Sequence, residues 1–150
     1  MTTTKGQDRG ITWDATLTFM EPLGSFDFVV FGEAPDAHGG PPPDAYDVAK
    51  PPAPMPPFIR AWFNDNLPVP YNQLWKDYRH YPGTQTIWNL TILWVPEDDT
   101  SPTNLVIGWN SAALNNSEYA HVMLCTSLGV PLEDMLLSHT YLFVCPADVP

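Results

Sequence analysis

The sequence predicts an all-β protein, an antiparallel two-sheet β-sandwich of about eight short strands. Residues 11–19 alternate apolar and polar side chains, and residues 86–95 do so again, with the two-residue period of half-buried strands. Turn-forming residues separate the apolar segments, and no stretch of ten residues has the period of an amphipathic helix. Short strands divided by frequent turns are typical of sandwich folds.

Length and charge limit the class of protein. A chain of 150 residues is the size of one domain, and we expect a flexible segment over residues 1–10 and a single sandwich domain over residues 11–150. Six basic and seventeen acidic residues give a net charge of −11, which repels nucleic acids. No apolar run reaches the roughly 20 residues of a membrane helix. We therefore expect no nucleic-acid partner and no membrane insertion.

In the first half of the chain the predicted strands are residues 11–19, 26–31 and 58–63, with a first turn at residues 21–24. A long connection separates the second strand from the third. Eight of the eighteen prolines fall within residues 41–57, and each proline fixes φ and removes a backbone donor. We therefore expect a stiff crossover loop that carries the chain from one sheet to the other and covers an edge.

The second half of the chain supplies the remaining strands. Residues 71–81 fit both a helical and a strand period, and we expect a bend that leads into a short edge strand. Residues 86–95 form the strongest predicted strand, and the turn-rich loop 96–102 predicts a hairpin. The other predicted strands are residues 105–109, 119–125, 132–138 and 140–145.

Several short motifs follow one another in a particular order. They are Phe31-Gly32, the Asp/Gly-rich segment 34–47, the Pro-rich segment 50–57, the aromatic segment 59–63, Asp77-Tyr78-Arg79, the Trp-rich segment 87–94, Trp109-Asn110, Asp134-Met135 and a last strand from Tyr141. Over residues 16–144 this order resembles an accessory β-sandwich module of secreted and cell-surface proteins of bacteria and archaea. The resemblance implies a non-catalytic domain of the cohesin-like, fibronectin-like or immunoglobulin-like type. One departure is the sequence HGGPPP at residues 38–43, which interrupts the acidic connection.

Acidic side chains are concentrated in the first part of that connection. Asp36, Asp44 and Asp47, with carbonyl groups of a glycine-containing loop, are oxygen ligands of the kind that calcium takes. A calcium site is therefore one interpretation, and no other cofactor is predicted. The competing interpretation is a solvated acidic loop with Lys50 and Arg60 as its partners.

Aromatic side chains suggest a second kind of site. Trp62, Tyr71, Tyr78 and Tyr81 are candidates for a platform that binds a sugar or a partner protein, because amphipathic rings stack well on such surfaces. Most of the six tryptophans fall on the apolar face of a predicted strand, and we expect those in the core.

The cysteines and two glycosylation sequons bear on the compartment. Cys125 and Cys145 are candidates for a cross-strand disulfide if the last strands are antiparallel neighbours, and two buried thiols are the alternative. Asn89 and Asn115 each begin an Asn-x-Ser/Thr sequon, which has meaning only for a chain that crosses a membrane. An extracellular or cell-surface location is therefore expected.

Together these features predict a secreted or cell-surface sandwich that acts as a structural or protein-interaction unit in assembly or adhesion. The expected partner is another protein or a second copy of the chain, joined by strand addition. A carbohydrate-binding module that uses exposed aromatics is the alternative. A hydrolase is the third hypothesis: the sequence has no nucleophile elbow and no His-Glu-x-x-His motif, while pairs of catalytic carboxylates depend on tertiary structure.

Overall fold

The computed structural model describes residues 10–97 and 100–148, which form ten strands and one short helix. The elements are β1 (Trp13–Met20), β2 (Phe26–Ala34), β3 (Val48–Ala49), β4 (Phe58–Asn64), β5 (Leu74–His80), β6 (Asn89–Val95), β7 (Thr103–Gly108), α1 (Ser111–Leu114), β8 (Met123–Cys125), β9 (Pro131–Asp134) and β10 (Thr140–Cys145). The prediction of an all-β fold is confirmed. Within the described ranges, no helix has the length and apolar content needed to cross a bilayer.

The main sheet has eight strands in the order β10-β7-β1-β2-β5-β4-β6, with β3 paired to β5. The pairing of β2 with β5 is parallel, so the sheet is mixed and not fully antiparallel as predicted. It curls into a half-barrel, and β8 and β9 form a separate two-stranded sheet. This arrangement is compatible with a sandwich-type fold, but it is not clearly a sandwich of two antiparallel sheets.

The concave face of the sheet holds the main core. Alternate residues of β1 point inward, as the sequence pattern predicts, and they meet inward side chains from β2, β4 and β7. Burial of each large apolar side chain contributes about 1.5–3 kcal/mol to folding. The largest buried members are Trp13, Phe19, Phe31, Phe63, Trp94 and Trp109.

The connection between β2 and β4 covers part of the convex face. Val30, Ala34, Ala37 and Tyr78 form a second buried cluster there, packed against partly buried side chains that include Tyr46 of the connection. Because β2 and β5 are parallel neighbours, the chain must leave the sheet and return to it between them. The predicted crossover loop therefore covers a face of the sheet and contributes β3, rather than covering an edge.

The structure differs from the prediction at β5 and at the predicted β6–β7 hairpin. β5 is an interior strand and not an edge strand, since it pairs with β2, β3 and β4. Its buried charged residue, Asp77, is paired with Arg79 of the same strand. β6 and β7 do not form the predicted hairpin: β6 is at one end of the strand order, and β7 lies between β10 and β1.

An ion pair between Lys50 and Asp27 anchors the connection directly after β3. Lys50 Nζ donates to both carboxylate oxygens of Asp27, each at 2.7 Å, and the Lys50 side chain is only 4% exposed. The same Asp27 carboxylate accepts a hydrogen bond from the amide of Ala61 on β4, at 2.8 Å. Burial lowers the pKa of Lys50, and the Asp27 carboxylate opposes that shift. Asp27 therefore joins β2, β4 and the connection at one point.

We expect Lys50→Met to lower the free energy of unfolding by about 3 kcal/mol, because it leaves the carboxylate of Asp27 enclosed without its cation. Urea denaturation measures this loss. The double variant Asp27→Asn/Lys50→Met removes both charges and should recover part of the stability. A double variant that is less stable than Lys50→Met would contradict the role of the pair.

Candidate functional site

The two edge strands of the curled sheet, β6 and β10, lie on either side of an open cleft. At one end the cleft is closed, because Ala147 forms a parallel bridge with Trp94 and the amide of Asp148 donates to the Trp94 carbonyl at 2.8 Å. Away from this bridge, β6 pairs only with β4 and β10 only with β7 in the described part of the chain. Each strand therefore presents a free edge toward the cleft.

The cleft contains a cavity of about 1100 Å³. Its walls come from residues 84–92, from β10 through Tyr141 and Phe143, and from the β8–β9 hairpin, while Trp13 and Leu17 of β1 lie behind them. Among the described residues, the lining contains no Asp, Glu, Lys or Arg; its polar members are hydroxyl and amide side chains and His121. The cavity is therefore mainly apolar and uncharged.

Met135, which directly follows β9, holds the β8–β9 hairpin over the cleft. Met135 lies in the core, and its amide donates to the Val122 carbonyl at 2.7 Å. The indole of Trp109 donates to the carbonyls of Met135 and Ser138, at 2.9 and 2.8 Å. Trp109 follows β7 directly, so the main sheet sets the position of the hairpin.

A buried carboxylate lies beneath the cleft. Glu33, on the inward face of β2, is fully buried and accepts hydrogen bonds from Trp13 Nε1 at 2.8 Å and from the Tyr119 hydroxyl. Both donors line the cavity. Gly83 packs so closely here that a Cβ at this position would lie 2.4 Å from the Tyr119 hydroxyl oxygen. The Glu33–Tyr119 hydrogen bond therefore joins the segment before the hairpin to the sheet.

Burial raises the pKa of Glu33 to about 6; the hydrogen bonds from Tyr119 and Trp13 act against this shift, and the nearby Glu118 acts with it. Burial and the hydrogen bond to Glu33 also raise the pKa of Tyr119. The phenol thus remains a donor, while the carboxyl changes charge near pH 6. The Glu33 carboxyl beneath the cleft therefore changes its protonation state in a mildly acidic range.

The residues predicted to bind calcium are only partly brought together. Asp36 is exposed, whereas Asp44 and Asp47 are linked by a 2.8 Å hydrogen bond from the Asp44 amide to Asp47 Oδ2. Burial raises the pKa of Asp47 to about 6, and the carboxylate of Asp44 adds to the shift. In the described ranges, no group of three or more His, Cys, Asp or Glu side chains is arranged to hold a metal ion.

An arginine provides the positive charge near these carboxylates. Arg79 Nε donates to Asp77 at 3.0 Å, and Arg79 Nη2 lies 3.2 Å from Asp65, which itself accepts from the amide of Gly40. Burial raises the pKa of Asp77, and the bidentate contact with Arg79 opposes the shift. The acidic connection is thus tied to β5 by Arg79.

Lys50 and Arg60, the partners expected for a solvated acidic loop, are engaged elsewhere. Lys50 pairs with Asp27, and Arg60 donates to the Gln73 side chain at 2.8 and 3.0 Å.

The four aromatic candidates do not form one exposed platform. Tyr78 is only 3% exposed, and its hydroxyl donates to Asp14 at 2.7 Å, so its predicted place on a binding surface is wrong. Tyr71 and Tyr81 are half-buried against the main core. Trp62 is half-buried on the convex side of β4, in register with Thr91 of β6.

The cysteines lie on different sheets. Cys125 is exposed on β8, Cys145 is buried at the end of β10, and both are free thiols. The predicted cross-strand disulfide is not formed because β8 pairs with β9 and β10 pairs with β7. Asn89 and Asn115 are both exposed, so each sequon is accessible.

Sequence reasoning did not find the cleft, whose walls come from segments far apart in the chain. The one local signal is the lack of charge in residues 84–92 and in β10. Comparison of the chain with protein-family models, with curated proteins and with solved structures gave no match. The geometry of the cleft is therefore the main guide to function.

Glu33→Gln keeps the shape of the side chain and removes its titration. Because burial raises the pKa from 4.5 to about 6 in the folded state, the carboxyl favours folding below about pH 4.5 and loses this advantage as the pH rises through 6. We expect the stability of the wild type relative to Glu33→Gln to fall by about 2 kcal/mol over this range. Urea denaturation at a series of pH values measures it.

The control is Leu137→Gln, which changes an exposed side chain without altering a titrating group, so its stability difference should not vary with pH. If the stability of the wild type relative to Glu33→Gln stays level or rises with pH, the pKa of Glu33 is not raised.

Proposed function

We propose that this chain is a non-catalytic, extracellular or cell-surface module that binds a partner protein by strand addition. The cleft between β6 and β10 accepts an extended segment of the partner. The observation that carries this proposal is the pair of free strand edges on either side of an apolar cavity.

Free strand edges carry unpaired N–H and C=O groups that readily pair with another extended chain. β6 has seven residues and is therefore about 23 Å long, which suits a partner segment of six or seven residues. Alternate side chains of such a segment point to the same face, so half of them enter the cavity. Backbone pairing supplies affinity, and the apolar cavity selects the side chains.

Charge defines the flanks of the partner segment. The cavity lining is uncharged, whereas Glu118, Glu133 and Asp134 directly adjoin lining residues in the chain, and the whole chain carries a net charge of −11. An apolar segment with basic residues at its ends is therefore the best match, since opposite charges at the rim speed association and fix register.

The exposed sequon at Asn115, which lies outside the cavity lining, and the resemblance to surface modules support an extracellular location. The curled sheet is compatible with a sandwich-type fold, which supports the proposal that the domain is an accessory module of the general cohesin-like or immunoglobulin-like sort. A role in assembly or adhesion follows from binding an extended segment. The carboxylates of Asp27 and Glu33 accept hydrogen bonds from other parts of the fold, and Asp77 accepts from Arg79 of its own strand, which fits structural rather than catalytic roles.

A suitable probe is a ten-residue synthetic peptide with lysine at both ends and alternating valine and threonine between them. In the free protein, outward amides of β6 and β10 should exchange rapidly with solvent, and saturating peptide should protect them. Leu132→Asp places a charge in the cavity lining and should weaken binding about tenfold.

The matched control is Leu137→Asp, because Leu137 is also exposed but lies outside the cavity lining. Its affinity for the peptide should equal that of the wild type. Absence of protection at millimolar peptide, or protection confined to other strands, would rule out strand addition at this cleft.

The carbohydrate-binding alternative depends on Trp62, Tyr71 and Tyr81, because Tyr78 is buried. We expect calorimetric titration with cellohexaose and chitohexaose to show no saturable binding. Binding that is saturable and lost in Trp62→Ala would favour the carbohydrate alternative over the protein-interaction module.

A further inference from the structure

Four apolar side chains form a continuous row on the convex face of the sheet. Phe26 of β2 lies directly opposite Met20 of β1, Met20 opposite Val106 of β7, and Val106 opposite Leu142 of β10. Phe26, Met20 and Leu142 are 54%, 51% and 64% exposed. The row crosses four adjacent strands and reaches the edge of the sheet.

Part of this convex face is covered by the chain, and part is exposed. Over β2 and β5, the connection 35–57 covers the second apolar cluster. Over β10, β7 and the end of β1, the row stays exposed, and Val144 of β10 adds a further side chain that is 62% exposed. Exposed apolar patches of a few hundred Å² on folded domains are often functional surfaces.

The lack of charge on β7 and β10 indicates which partner fits the row. β7 and β10 contain no charged residue, although the whole chain has a net charge of −11. Two copies of so acidic a chain repel each other except where their surfaces are neutral. A basic partner, in contrast, would find no carboxylate on these two strands to pair with.

We propose that this row packs against the same row of a second copy of the chain, in a two-fold dimer. Two-fold symmetry places one patch against itself, and sheets that pack face to face interdigitate apolar side chains at a separation of about 10 Å. The dimer surface is on the convex side, whereas the partner cleft opens on the concave side. Self-association therefore does not depend on the proposed strand addition.

The size of the patch sets the strength of the dimer. Four strands about 4.8 Å apart and about six residues long cover roughly 400 Å² of sheet. The two copies together bury less than the roughly 1,200 Å² typical of stable specific interfaces. The dimer is therefore reversible, with a dissociation constant in the micromolar range or weaker.

Sedimentation velocity of the full chain, from roughly 10 µM to 1 mM, should show a shift from monomer to dimer that strengthens with salt, because salt screens the repulsion between acidic copies. Met20→Glu and Leu142→Glu should each weaken dimerisation at least about tenfold. The control is Val69→Glu, which changes an exposed valine away from the row and should leave the dimer intact.

Both altered side chains are more than half exposed, so each variant should fold, and circular dichroism checks that it does. Weaker dimerisation of either folded variant supports the proposal. A chain that stays monomeric at 1 mM in high salt overturns the proposal, as does a dimer that both variants leave unchanged. A dimer lost in Leu132→Asp but kept in Met20→Glu and Leu142→Glu also overturns it, because the contact then lies at the cleft.

Discussion

The parallel pairing of β2 with β5 is the constraint on which the rest of the structure depends. Parallel neighbours cannot be joined by a tight turn, and here the chain reaches β5 through β4, which is antiparallel to β5 and lies beyond it in the sheet. Residues 35–57 must therefore pass the position of β5 before they enter β4. This accounts for the length of the connection and for its stiffness, since prolines limit the freedom of a long excursion and so reduce the entropy lost on folding. It also explains why β3 and β4 both reach β5.

Three carboxylates of β2 and β5 are each held by a specific donor. Asp27 and Glu33 belong to β2 and Asp77 to β5, and each is bound by a donor from another position in the chain: Lys50, Tyr119 and Arg79. Buried charged groups add little net stability, but an incorrect arrangement would leave them without partners. We infer that the contacts of Asp27 with Lys50 and of Glu33 with Tyr119 define how the connection and the segment before the hairpin meet β2, while Arg79 links Asp77 of its own strand to Asp65.

The curl of the sheet produces two surfaces with different chemistry. On the concave side it brings β6 and β10 to either side of an apolar cavity, and on the convex side it exposes the row that ends at Leu142. With the proposed strand addition at the cleft and the proposed dimer at the row, each dimer would hold two partner segments. Paired sites of this kind raise avidity without new contacts, which suits a role in assembly or adhesion.

The sequence by itself determined which side chains face the core within a strand. The alternation of residues 11–19 predicted the inward face of β1, and the apolar residues 58–63 predicted β4 nearly to its ends. These results depend only on the two-residue period, which is local. Only the tertiary structure decided that β5 is an interior strand, that Tyr78 is buried, that Arg79 binds Asp77 and Asp65, and that Cys125 and Cys145 lie on separate sheets. Strand order and charge pairing depend on contacts between residues far apart in the chain, and the period of a single strand carries no information about its neighbours.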